Sequence, residues 1–201
     1  MKKLIFLLIV LFIFSTSNVY SVVVLQRVYF TGNNICNWFQ NTGILNQNST
    51  YGNSSGFFWH CDSAQSYCFT AGFNMAGKVN GRLAMVNASY KGEFSPGYFS
   101  DSMSYITNTD LRIYKVCRTD NATSNPDYAN WYKMVPFGAP YEDVNHNCMF
   151  DRDIDKPGVP EAYMTLFLVL GDGDISMRSP GEGFGGGITS PIFGAEIHLT
   201  A

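Results

Sequence analysis

The densest run of oxygen-bearing side chains lies at 143–155, Asp-Val-Asn-His-Asn-Cys-Met-Phe-Asp-Arg-Asp-Ile-Asp. Asp143, Asn145 and Asn147 occupy alternate positions 1, 3 and 5 of this run, and Asp151 occupies position 9. Calcium takes roughly six to eight hard oxygen ligands at about 2.3–2.6 Å. A tight loop with an oxygen side chain at every second residue turns those oxygens toward one centre. The backbone carbonyl of Met149, at position 7, adds a ligand in such a loop, and Asp153 or Asp155 closes the shell from the far side. The expected ion is calcium, and the expected ligands are Asp143, Asn145, Asn147, Met149 (carbonyl), Asp151 and Asp155.

Two departures separate this run from an EF-hand. Position 6 is Cys148, where a calcium loop favours Gly for its sharp turn, and position 12 is Ile154 instead of a bidentate Glu. No apolar helices flank it. A looser loop, resembling those of dockerins or thrombospondin repeats, fits the spacing. An Asx-rich surface turn fits it too, because Asp and Asn bond their own backbone in turns.

Other chemistry is weaker in the sequence. Gly171-Asp172-Gly173-Asp174 follows an apolar run and reads most simply as a hairpin turn, with a minor option that Asp172 and Asp174 ligate the same ion. The glycine-rich run at 181–187 lacks the Lys of a phosphate-binding loop. There is no Gly-x-Ser-x-Gly, and His60, His146 and His198 are scattered. Glu93, Glu142, Glu161, Glu182 and Glu196 include no pair that the sequence brings together, as a glycosidase requires. Catalysis is therefore not expected. Trp38, Trp59 and Trp131 suit either a sugar-stacking platform or internal packing.

The elements that must position these residues are short. Strands are expected at 22–29, 56–59, 67–75, 110–117, 163–170 and 193–200, with 163–170 the most buried. Asn80-Gly81 marks a hairpin turn. Residues 31–55 and 120–128 read as polar loop, and 130–135 as a short helix or turn. Spaced short strands without an amphipathic helix indicate an all-β fold, an antiparallel β-sandwich with long Gly/Asn-rich loops.

Lys2 and Lys3, the apolar run 4–14 and a polar exit make 1–21 a signal peptide, so the mature region is 22–201. Eleven apolar residues would span only ~16 Å as a helix, about half of a bilayer core, so no transmembrane anchor is expected. Removing that segment takes away two of the 13 Lys and Arg and none of the 16 Asp and Glu, leaving 11 against 16 and a net charge of −5. Such a balance disfavours nucleic acid, which needs clustered cations. Export permits disulfides, but five cysteines leave one unmatched. Cys61 and Cys68 could close a short hairpin, and pairings across strands stay open. The chain stops inside a strand-like pattern, as expected for the N-terminal part of a longer protein.

An ordered set of stretches carries a resemblance. These are Asn33-Asn34-Ile35, Asn41-Thr42-Gly43-Ile44, Gly56-Phe57-Phe58-Trp59, Thr70-Ala71-Gly72, Gly92-Glu93-Phe94-Ser95-Pro96-Gly97, Trp131, Gly138-Ala139-Pro140-Tyr141-Glu142-Asp143, Asp155-Lys156-Pro157-Gly158 and Gly194-Ala195-Glu196. Together they resemble the N-terminal region of large bacterial extracellular proteins whose C-terminus carries a type IX secretion sorting domain. The corresponding loop there usually has Gly where this chain has Cys148. The resemblance implies a secreted or cell-surface location and supplies no catalytic residues. The expected role is a secreted, calcium-stabilised structural or binding module. The rivals are a carbohydrate-binding or adhesion module and the non-catalytic leading region of an extracellular hydrolase. Expected partners are extracellular polysaccharide or other surface proteins.

Overall fold

A computed structural model describes residues 25–48, 54–63, 65–88, 91–178 and 190–201. The signal-peptide segment and the glycine-rich run at 181–187 lie outside these residues. The fold is all-β and antiparallel. No helix among the described residues is long and apolar enough to cross a membrane.

The strand Met164–Gly171 organises the larger core. Its apolar run leaves residues 165–171 buried on both faces, which is why it lacks the alternation of a half-exposed strand. Tyr114–Cys117 and Ser95–Pro96 pair with it, and Glu196–Thr200 adds a further antiparallel neighbour. Side-chain parity then divides the interior. Leu166, Leu168 and Leu170 pack with Phe39, Val86, Phe94 and Ile113, whereas Phe167 and Val169 pack with Tyr114, Trp131 and Met134. Trp131 belongs to a short helical layer made of Pro126–Asn130, Trp131–Lys133 and Val135–Phe137.

A six-stranded sheet contributes to the first core through Phe39 on Ile35–Gln40. This strand overturns the loop expected at 31–55. The misreading has a physical cause. Asn37 and Gln40 are buried, so polar residues occupy positions where an apolar pattern would have announced a strand. The Asn37 amide oxygen accepts the Trp38 N–H at 2.8 Å, which limits the cost of burying it. The hairpin Asn74–Val79 and Arg82–Asn87 forms as the sequence suggests: Asn80 and Gly81 both have positive φ, 50° and 77°, matching the twist of a tight hairpin.

The disulfide joins Cys36 to Cys61, not Cys61 to Cys68. Cys68 instead sits on Ser66–Cys68 opposite Phe57, with its thiol 3.4 Å from the Thr70 carbonyl. The bond ties the Ile35–Gln40 strand to the turn of the hairpin Phe57–Trp59 and Ser66–Cys68. Cys68, Cys117 and Cys148 are free thiols.

The sheet edge at Tyr114–Cys117 is sealed by side chains. Asp127 accepts the Lys115 N–H at 2.9 Å, Asp120 accepts the Cys117 N–H at 2.8 Å, and Gln26 accepts the Ile113 N–H at 2.7 Å. An edge so occupied cannot recruit another strand. The segment 120–130 that supplies two of these acids is helical at Pro126–Asn130, where Asn125 caps the N-terminus and Pro126 occupies the first turn.

Gly171-Asp172-Gly173-Asp174 is not a hairpin turn. Gly171 still belongs to the strand, and the ring of Tyr105 lies against Gly97, Gly171 and Gly173 so closely that a Cβ at any of them would stand 2.2–2.5 Å from it. Asp172 is fully buried. Its Oδ1 accepts the N–H groups of Gly194 (2.9 Å) and Ala195 (2.7 Å), and Oδ2 accepts the N–H of Phe193 and a guanidinium N–H of Arg178. Arg178 also donates to the Met85 carbonyl at 3.1 Å and lies 3.4 Å from Glu93, which in turn accepts the Asn87 N–H at 2.9 Å. Removing one member of such a buried network strands the others without water. Asp172→Ala is expected to lower stability by ~3–5 kcal/mol in urea melts, and Asp172→Asn, which keeps the shape and one acceptor, by less.

Candidate functional site

The loop 143–155 closes a two-residue ladder in which Tyr141 and Glu142 pair with Pro157 and Lys156. A Glu142–Lys156 ion pair at 3.1 Å clamps its base. Inside the loop the Asx side chains bond the backbone. Asp143 accepts the Asn147 N–H at 3.2 Å through Oδ1 and the Cys148 N–H at 2.8 Å through Oδ2. Asn147 accepts the Met149 N–H at 2.8 Å. Asp155, only 2% exposed, accepts the Val144 N–H at 2.9 Å and the Asp151 N–H at 2.7 Å, so it joins the two limbs. Arg152 reaches the Ala129 carbonyl at 2.9 Å and stacks over Tyr132, which fastens the outer limb to the helical layer. Phe150 packs edge-on against Tyr141.

Asp143, Asn145, Asn147, Asp151 and Asp155 therefore share one hydrogen-bonded loop, and Met149 joins it through its N–H. The amide Nδ2 atoms of Asn145 and Asn147 both lie 2.6 Å from Asp151 Oδ2. The oxygen and nitrogen of an amide exchange places by a half-turn of the side chain. For Asn145 that rotation would set an amide oxygen beside the Asp151 carboxylate, a pair of hard donors of the kind calcium takes, whereas the Met149 N–H on the Asn147 oxygen holds Asn147 in its present orientation. The fit depends on the amides. Among the described residues no three His, Cys, Asp or Glu side chains form a metal-binding group. The electrostatics of the loop are negative: burial raises the Tyr141 hydroxyl pKa, and Asp143, Asp155, Cys148 and Asp151 push it further in the same direction.

Asp172 and Asp174 lie outside this set. Asp172 is committed to Arg178 and three backbone N–H groups, and Asp174 caps the short helix Ile175–Met177 by accepting the Ser176 N–H at 3.0 Å. His198 bridges the Phe137 carbonyl and Glu196, and Glu196 also accepts the Phe99 N–H at 2.7 Å. The three tryptophans do not form a platform. Trp131 is buried, with its indole N–H on the Pro140 carbonyl at 2.9 Å, and Trp38 packs against Tyr29. Trp59 is exposed and lies 6.3 Å from the Tyr67 ring.

A cavity of about 430 Å³, which no motif announced, lies beside the loop, lined by Cys117, Arg118, Asp120, Tyr128, Glu142 and Glu161 among others. Glu142 and Glu161, unpaired in the sequence, face this one space. No local motif could have shown it, because its walls come from four separate stretches: 116–120, Tyr128, Glu142 and 154–165.

Cys148 has φ 63°, in the left-handed region that glycine occupies without strain. This is where the loop's geometry calls for the glycine that the sequence lacks. Cys148→Gly is expected to raise stability by ~1 kcal/mol, measured as a shift in the urea midpoint at unchanged slope. No family model matches the chain, and neither a curated protein nor a solved structure does, so the chemistry of its own side chains carries the functional reading.

Proposed function

We propose that the chain is a secreted, calcium-stabilised structural or binding module of a bacterial surface protein, with no catalysis of its own. The convergence of Asn145 and Asn147 on the Asp151 carboxylate, inside a loop whose limbs Asp155 already joins, carries the ion reading. Calcium there would be held by Asp143, Asn145, Asn147, the Met149 carbonyl, Asp151 and, on the inner side, Asp155. Its charge would relieve the repulsion among acids that stand close in the loop. Binding to the folded state alone stabilises by mass action, about 2.7 kcal/mol when free ion exceeds the dissociation constant a hundredfold.

Export is supported by the basic start and apolar run at the N-terminus, and by a disulfide, which persists in oxidising compartments. The ordered resemblance to the leading regions of type IX-secreted proteins supports a surface or released location.

Thermal unfolding of the purified chain in chelator and in millimolar calcium tests the reading. Calcium is expected to raise the melting temperature by several degrees, and the double substitution Asp143→Ala/Asp151→Ala is expected to abolish the rise. An equal melting temperature in chelator and calcium would leave the loop as an Asx-bonded turn.

A further inference from the structure

We infer that the cavity between the end of Tyr114–Cys117, the helix Pro126–Asn130 and the 154–162 segment binds a neutral saccharide of one or two rings. The inference deepens the binding role proposed above by giving it a place and a ligand class. It does not depend on the ion.

The volume, about 430 Å³, falls within the range of about 300–1,000 Å³ typical of small-ligand sites. The charges on its walls are of both signs and stand in pairs, which favours a neutral ligand over a simple ion: Arg118 lies 3.4 Å from Glu161 and Lys156 lies 3.1 Å from Glu142. The third acid, Asp120, is held by the Cys117 N–H at 2.8 Å and the Asn125 amide at 2.6 Å, so it is not a free partner for a cation. What such walls offer is hydrogen-bond donors and acceptors side by side, and a sugar hydroxyl is both donor and acceptor.

The apolar part of the lining suits the other half of sugar chemistry. Ile154 and Pro157 line the same space and can cover the C–H face of a pyranose, with the buried Val116 behind them. Tyr128 adds an aromatic wall. Burial raises its hydroxyl pKa, with Lys156 lowering and Glu142 raising it, so the phenol stays protonated and can both donate and accept. Cys117 is likewise kept as a thiol by burial and by Asp120, which makes a covalent role unsuited to this wall.

Saturation-transfer NMR with cellobiose, maltose, lactose and diacetylchitobiose, followed by titration of any that respond, tests the proposal on the full chain. The expected result is binding by at least one neutral disaccharide. Glu142→Gln should weaken it about tenfold, the loss of one charge-assisted hydrogen bond. Glu161→Gln, at a side chain 85% exposed to solvent, should weaken it by a smaller factor. Trp59→Ala should leave it unchanged. Melting curves establish that each variant is folded. Running every titration in chelator and again in calcium separates the two readings, because sugar binding in chelator survives failure of the ion site. No response from any of the four sugars would overturn the proposal. So would binding lost in Trp59→Ala but retained in Glu142→Gln, which would place the sugar on the exposed hairpin.

Discussion

One buried guanidinium joins the parts of this fold that backbone pairing leaves separate. Arg178 contacts Asp172 at the end of the strand Met164–Gly171, the carbonyl of Met85 on the strand Arg82–Asn87, and Glu93 just beyond that strand. Asp172 in turn gathers the N–H groups of 193–195 and so sets where Glu196–Thr200 begins. The hairpin and the four-stranded sheet are separate ladders, yet they pack one core through Val86 and Leu168. Taking three charged groups out of water is costly unless each is satisfied. Here two carboxylates share one cation and four backbone N–H groups, with the Arg178 Nε left without a partner among the described residues, and that supply exists only when the strands are correctly placed. The network thus favours one arrangement of small sheets over the many that a generic apolar core would accept.

The same substitution of side chains for backbone partners recurs elsewhere. A chain with 14% charged residues and many Asn has few long ladders, so it must satisfy irregular backbone locally. Asp120 and Asp127 seal a sheet edge, Asn125 starts a helix, Asn41 takes the Gln26 N–H, and Asn121 accepts from Thr123 and Ser124. The 143–155 loop is the densest case. Its side-chain bonds preorganise it, so an ion would not have to order a free chain, and little of its binding energy would be spent on ordering.

How much of this was legible follows from what each feature leaves in sequence. The strand at 164–171 announced itself because a doubly buried strand is a continuous apolar run. The Asn80-Gly81 turn did so because its backbone angles demand those residues. The strand Ile35–Gln40 stayed hidden because Asn37 and Gln40 are buried with hydrogen bonds that only tertiary structure supplies. Asp172 was misread for a related reason: Gly-Asp-Gly-Asp is a turn signal when the glycines provide φ freedom, but here they are small because Tyr105 lies on them. The helix Pro126–Asn130 could have been found, since Asn-Pro-Asp is a cap, a first-turn proline and an acid in order. The loop's Asx cluster was legible because it is local. The cavity was not, since its walls meet only after folding.

The loop and the cavity share a boundary, and that boundary constrains what the module can do. Ile154 and Lys156 belong to both: they flank Asp155, whose carboxylate is buried and bonded to two backbone N–H groups, and they line the cavity on their other side. Lys156 cannot move without breaking its pair with Glu142 or shifting Pro157 in the Tyr141–Glu142 ladder. An ion that tightens the 143–155 loop would therefore fix one wall of the cavity at the position seen here. Coupling of this kind needs no large motion, because it acts by removing alternative positions of a shared wall, and a ligand in the cavity would reciprocally strengthen ion binding.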